Sequence, residues 1–240
     1  MILIEKTEVV GWEHAIRGMR NPMNSWGKSD SSTCGELDCT KCGFYYEEGR
    51  IECQKRIESD LILGKNDLSL MKKLCKAGPE HRKFLRMIVV YCDITAPLYW
   101  WKEFDTYKVG TVVNSCSTMH KIHAKEFTID DFSHEHMEML TCDIMDQHVI
   151  RLLNIYRELF LQTTDKKYWW QMIQLLPTSY NQKRTVMLNY EVLANIYKPT
   201  SRQHHKQDEW NVDCSGSFCQ WIESLPYSIL ITGKEGEEDG

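Results

Sequence analysis

The sequence has no apolar run approaching the ~18 residues that span a bilayer. Its opening Met1-Ile2-Leu3-Ile4-Glu5-Lys6 is too short and too charged for a secretory signal. These absences argue against a membrane partner and lead to the expectation of a cytoplasmic protein. Charge of one sign is also scarce. With 29 Lys and Arg against 34 Asp and Glu the net charge is −5, too mild for intrinsic disorder and of the wrong sign for a partner that is a nucleic acid polymer. A small anionic ligand would need a local basic pocket. There is no internal repeat, no base beside the lone Cys116 that would make it a nucleophile, and no third ligand near the pairs His120/His123 and His134/His136 that would make either a metal site. No catalytic residue is assigned on these grounds.

What is present begins with alternating apolar residues at Ile2, Ile4, Val9 and Val10, which predict a strand running into a turn or short helix at residues 13–17. Residues 21–33 are rich in Asn, Ser, Gly and Asp and predict a loop, continued by a Cys-rich insertion at 34–53. Apolar positions 68, 70, 71 and 74 predict a helix capped by an Asp and stopped at Gly78-Pro79. The β-branched and aromatic run 84–93 predicts a buried strand. Helices are expected within 128–160, over 167–176, over 184–197 and over 203–222, and the Gly/Glu tail 233–240 is expected to be disordered. The architecture is α+β, a helix-rich single domain over 1–232 with a small sheet.

Ten cysteines in a reducing compartment imply free thiols, with any cluster suited to metal. Cys34, Cys39, Cys42 and Cys53 have the spacing C-x4-C-x2-C-x10-C, with Gly35 and Gly43 permitting tight turns. They are candidates for a structural zinc, the alternatives being an exposed loop of reduced thiols or, lower in rank, an iron–sulfur cluster. The stretch from Trp100 to His120 sets two tryptophans beside Lys108, Thr111, Asn114, Ser117 and His120. Each buried polar atom must find a partner or cost about 1–3 kcal/mol, so these groups bind a ligand or satisfy one another. The tryptophan pairs 100–101 and 169–170 suit core packing, while one of them could face a planar ligand. Residues 202–210 follow a break, and a helix starting there would offer free amides and a positive dipole to a phosphate, the alternative being a solvated helix end.

In order along the chain, several segments resemble the flavin-dependent thymidylate synthase family. They are Ala15-Ile16-Arg17, then Gly78-Pro79-Glu80-His81-Arg82-Lys83-Phe84, then Asn114 and Ser117 in the family spacing. Leu175-Leu176-Pro177, Thr185, Asn189, Arg202 and His205-Lys206-Gln207-Asp208-Glu209 follow. Tyr107-Lys108-Val109 stand where the family has Arg-His-Arg, while Met119 and Asn211 replace two further arginines. The Cys-rich insertion has no counterpart.

The resemblance implies a homotetramer that binds FAD and a nucleotide-like molecule and transfers a one-carbon group to a deoxyuridylate-type substrate, with methylenetetrahydrofolate and NADPH as co-substrates. It places Trp101, Lys108, Thr111, Asn114, Arg202, His205, Gln207 and Glu209 around the cofactor, and Lys108, Ser117 and Arg184 at the substrate. Losing several guanidiniums would weaken phosphate binding unless Arg17, Arg20, Arg184 or Arg202 substitutes. The competing reading is a non-catalytic nucleotide- or flavin-binding protein that keeps the fold.

Overall fold

The structure, a computed structural model, describes residues 1–33 and 61–234. Cys34, Cys39, Cys42, Cys53 and residues 235–240 lie outside the described residues. The elements are β1 (Leu3–Val10), α1 (Trp12–Arg20), β2 (Ser32–Thr33), β3 (Leu61–Ile62), α2 (Lys65–Lys76), β4 (Val89–Pro97), α3 (Leu98–Phe104), β5 (Val112–Ser115), α4 (Met139–Ile144), α5 (Arg151–Thr163), α6 (Lys166–Leu175), β6 (Asn181–Asn189), α7 (Tyr190–Tyr197), α8 (Phe218–Glu223) and α9 (Ile229–Thr232). A π-helical stretch, Met145–Ile150, runs directly from α4 into α5. The expected α+β, helix-rich architecture is the one observed, with a small sheet in the strand order β1-β4-β6-β5.

The chain clusters into two compact units. The first comprises Met1–Lys6, Cys92–Lys108 and Val112–Val186, and the second Thr7–Tyr91, Val109–Thr111 and Met187–Gly240. In the first, Phe127, Phe132, Met145, Ile150, Leu153 and Met172 form a common core. Asp165 starts α6 by accepting from the Lys167 amide at 2.9 Å, the local signal that the sequence carries just before a helical apolar pattern. In the second unit Trp12 is fully buried with its ring 5.4 Å from that of Tyr190. Gly11 makes this possible: its φ is +93°, and a Cβ there would lie 2.0 Å from the Met87 carbonyl oxygen.

The structure moves several expected boundaries. β1 and α1 form where alternation and periodicity placed them. The 84–93 run instead opens as a 3-10 turn, Lys83–Arg86, that buries Phe84 and Leu85, and the strand begins at Val89. A short apolar run does not distinguish a buried turn from a strand. Helix α2 is capped by Gly64, not by an aspartate of its own. Asp30, from the loop before it, accepts from the Asn66 and Asp67 amides at 2.9 and 3.1 Å. Residues 184–189 belong to strand β6, where Gln182, Val186 and Leu188 are buried at period two, and α7 starts only after Asn189.

Candidate functional site

In the first unit, α3 turns Trp100, Trp101 and Phe104 inward. The Trp100 and Phe104 rings stack at 5.2 Å, and Trp101 meets both edge-on at 4.9 and 5.3 Å. The Trp101 indole N–H donates to the Gln182 carbonyl at 2.9 Å. Arg184 lies over the same indole, 4.2 Å from its centroid. Its Nη1 donates to Asp105 Oδ1 at 3.0 Å and its Nε to Gln182 Oε1 at 2.9 Å, while Gln182 Nε2 donates to the Cys116 carbonyl at 2.7 Å. Burial pushes the Arg184 pKa down, and the Asp105 carboxylate opposes that shift.

This arrangement changes two expected roles. Trp101 is 1% exposed, its ring enclosed by Trp100, Phe104 and Arg184, so it forms a wall behind a guanidinium and offers no open stacking face. Arg184, expected at a substrate phosphate, has its charge met by Asp105. Asp105 and Gln182 are members of this cluster that the sequence did not single out. Arg184 lies 79 residues from Asp105, and no local spacing signals such a pair.

Strand β5 lies at an edge of the sheet. Lys108, Asn114 and Ser117 are all exposed, so at these three positions the polar run is an open surface strip and carries no burial cost. Ser117 Oγ accepts from the Met119 and His120 amides at 3.2 and 2.9 Å, a local turn that fixes the hydroxyl oxygen. Trp169 pins the same turn by donating to the Met119 carbonyl at 2.8 Å. Among the described residues no group of three or more His, Cys, Asp or Glu side chains could hold a metal ion.

Thr111, Arg202, His205, Gln207 and Glu209 fall in the second unit. No helix starts near Arg202: residues 201–217 are turns and irregular chain, and α8 begins only at Phe218, capped by Ser217 through the Gln220 amide at 3.2 Å. The helix N-terminus expected there to meet a phosphate is therefore not formed. Asn211, Asp213, Ser215 and Gly216 explain why, since these residue types favour turns over a helix interior. The Arg202 guanidinium lies 5.2 Å from the Trp210 ring centroid. Gln207 donates its amide to His205 Nδ1 at 3.2 Å, and its carbonyl accepts from the Trp210 amide at 3.0 Å. Glu209 is buried and its carbonyl accepts from the Phe218 amide at 2.8 Å. Within this set of candidate residues, Thr111 Oγ1 and Gln207 Oε1 are buried with no hydrogen-bond partner among the described residues.

Two of the four arginines considered as substitutes are already committed. Arg20 is buried against Asp67 and Arg184 is paired with Asp105. Arg17 is exposed, 2.9 Å from His14 Nδ1.

No family model matches the sequence, and no curated protein matches it. Solved structures do. A flavin-dependent thymidylate synthase from Helicobacter pylori, crystallised with FAD and dUMP, superposes with a TM-score of 0.65 at 12% identity, covering 97% of this chain and 97% of that one. A second structure of that enzyme with the same two ligands gives 0.59 at 12% identity over 95% and 96%. A UMP/dUMP methylase from Streptomyces cacaoi, bound to 5-bromo-dUMP, gives 0.52 at 11% identity over 97% and 95%. The fold of this chain is the fold of these proteins.

Proposed function

We propose that this chain binds a deoxyuridylate-type nucleotide together with FAD and transfers a one-carbon group to that nucleotide. The observation that carries the reading is the chain-long correspondence, 97% of each chain, with an enzyme crystallised with FAD and dUMP. Lys108 supplies a point charge to the nucleotide phosphate. Both backbone donors of its turn are taken up by the Ser117 oxygen, which leaves the Ser117 O–H to donate to a phosphate oxygen. Asn114, with one acceptor and two donors in its side chain, suits the edge of a uracil. Trp101 acts through Arg184, which reaches a phosphate only in competition with Asp105.

The residues fit a flavin at two points. Thr111 Oγ1 and Gln207 Oε1 would each cost about 1–3 kcal/mol if left unpaired, and a flavin offers ring N–H, carbonyl and ribityl hydroxyl groups as partners. Within the second unit Arg202 would meet the pyrophosphate, with His205 and Glu209 on the same stretch as Arg202 and Gln207. When bound, FAD supplies hydride chemistry, with NADPH as its reductant and methylenetetrahydrofolate as the carbon donor. The protein's own part is orientation and electrostatics. A homotetramer and a structural zinc on Cys34, Cys39, Cys42 and Cys53 complete the proposal, the latter tested by metal analysis of the purified protein.

A second reading, binding without catalysis, is favoured by one observation: Arg20 and Arg184 are neutralised by carboxylates of their own chain. One variant tests the alignment on which the nucleotide site rests. Val109 is 92% and Met119 44% exposed, so a chain carrying Tyr107→Arg, Lys108→His, Val109→Arg and Met119→Arg should fold without repacking a core. The catalytic reading expects its dUMP affinity to rise at least about tenfold, or ~1.4 kcal/mol, by titration calorimetry. Unchanged dUMP affinity in a folded variant means that this stretch serves another ligand or none.

A further inference from the structure

A cavity of about 220 Å³ in the second unit is lined by Lys72, Cys75 and Lys76 of α2, by Arg82, and by residues 229–233 at the end of α9. Three cations converge on it in a chain whose net charge is −5. Lys72, Cys75 and Lys76 share one helix face by their spacing of three and four. Arg82 is held rigidly, its Nη2 donating to Glu191 Oε1 at 3.0 Å and its Nε 2.9 Å from Glu191 Oε2. Its charge is thus partly met. Those of Lys72 and Lys76 are not, since neither has an ion pair among the described residues.

The bland account is that lysines favour the last turn of a helix, where the dipole is negative. That account covers Lys73 and Lys76, which stand in the last turn of α2. It does not cover Lys72, which is half-buried at the cavity one turn before Lys76. Two lysines four apart repel by a few tenths of a kcal/mol, and a bound anion would relieve that repulsion. Cys75 adds no negative charge, because burial pushes its thiol up to about 11 against the opposing pull of Arg82. The remaining wall is aliphatic at Ile229, Leu230 and Ile231, the last two buried, and adds Thr232 and Gly233.

We infer that this cavity is a binding site for a small multivalent oxyanion, a phosphate ester or polycarboxylate with a compact apolar body, held by Lys72, Lys76 and Arg82. Its volume lies below the ~300 Å³ at which pockets for drug-sized ligands begin, which suits a small anion over a dinucleotide such as FAD or NADPH, and none of its lining residues belongs to the flavin reading. The site is therefore separate from the flavin reading and stands or falls without it.

The test is thermal unfolding and titration calorimetry of the full chain with inorganic pyrophosphate, against chloride at equal ionic strength, with citrate as a second probe. Pyrophosphate should raise the Tm by several degrees. The Lys72→Ala/Lys76→Ala variant should bind it at least tenfold more weakly, with unchanged stability in its absence because neither side chain has a partner to lose. Lys73→Ala, on the same helix and outside the cavity, should bind as the parent does. Arg82 is left intact because its removal would strand the buried Glu191. A larger response to citrate than to pyrophosphate keeps the site and makes its ligand a polycarboxylate. Equal responses to pyrophosphate and chloride, or undiminished binding in the double variant, would overturn the inference. Binding that appears only after deletion of the acidic residues 235–240 would also overturn it, assigning the cations to the chain's own acidic end.

Discussion

Asp67 shows how much one side chain can carry in this protein. It is fully buried and accepts from Arg20 Nε and Nη2 at 2.7 and 2.6 Å, from the hydroxyls of Ser29 and Ser31 at 2.6 Å each, and from the amides of Asp30 and Ser31 at 3.2 and 3.1 Å. Burial alone would raise its pKa, but the bonds from Ser29, Ser31 and Arg20 outweigh it and hold the carboxyl below its ordinary 3.8. A group depressed in the folded state contributes stability that is complete above the unfolded value and is lost as pH falls through the folded one. Stability should therefore fall below about pH 3.8, and Asp67→Asn should reduce that dependence, to which Asp93, Asp165 and Glu223 also contribute, while costing about 3–5 kcal/mol at neutral pH through the stranded Arg20. Denaturant titrations of both chains at pH 3 to 7 measure this. In the sequence Asp67 read only as a helix cap, because the 47 residues between it and Arg20 hide the pair. Arg184 and Asp105 were hidden for the same reason, whereas Lys108, Asn114 and Ser117 could be grouped in the sequence because they share one short segment.

Elements that satisfy themselves locally were the ones the sequence revealed. α1 and α6 carry their own periodicity, and α6 its own cap. The misplaced elements depend on distant partners: β6 exists because neighbouring strands pair with it, and 203–217 is irregular because its turn-forming residues and its side-chain contacts outcompete a helix. The continuous helical rod of α4, its π-helical stretch and α5 also has a face without a described partner. Leu140, Ile144, Leu152 and Ile155 are 70, 48, 37 and 43% exposed along it. Asp143 and Asp146 precede Arg151 on the same rod, so a second copy packed antiparallel about its middle would set unlike charges together. Light scattering should give a multiple of the 28.3 kDa chain, and Leu140→Glu with Ile155→Glu should lower that mass with helicity retained. A monomer mass for the parent chain would contradict the pairing.

At the scale of the whole molecule, two findings pull against each other. The fold extends over nearly the full length of nucleotide-binding neighbours at 11 to 12% identity, so one scaffold accommodates sequences that share little. Yet the guanidiniums that the resemblance expects at a phosphate are replaced by Tyr107, Val109 and Met119, or, as at Arg184, turned to a carboxylate of the same chain. Fold depends on many small apolar contacts that tolerate exchange, whereas phosphate binding depends on a few cations that do not. The central claim is that this scaffold still holds a flavin and a deoxyuridylate. The most direct measurement is thermal unfolding of the purified full chain with FAD, with dUMP and with both, beside its visible absorption spectrum. The account predicts flavin absorbance that stays with the protein and a Tm that rises with each ligand, since a ligand at a hundred times its Kd adds about 2.7 kcal/mol. A colourless protein whose Tm moves with neither ligand at millimolar concentration would contradict it.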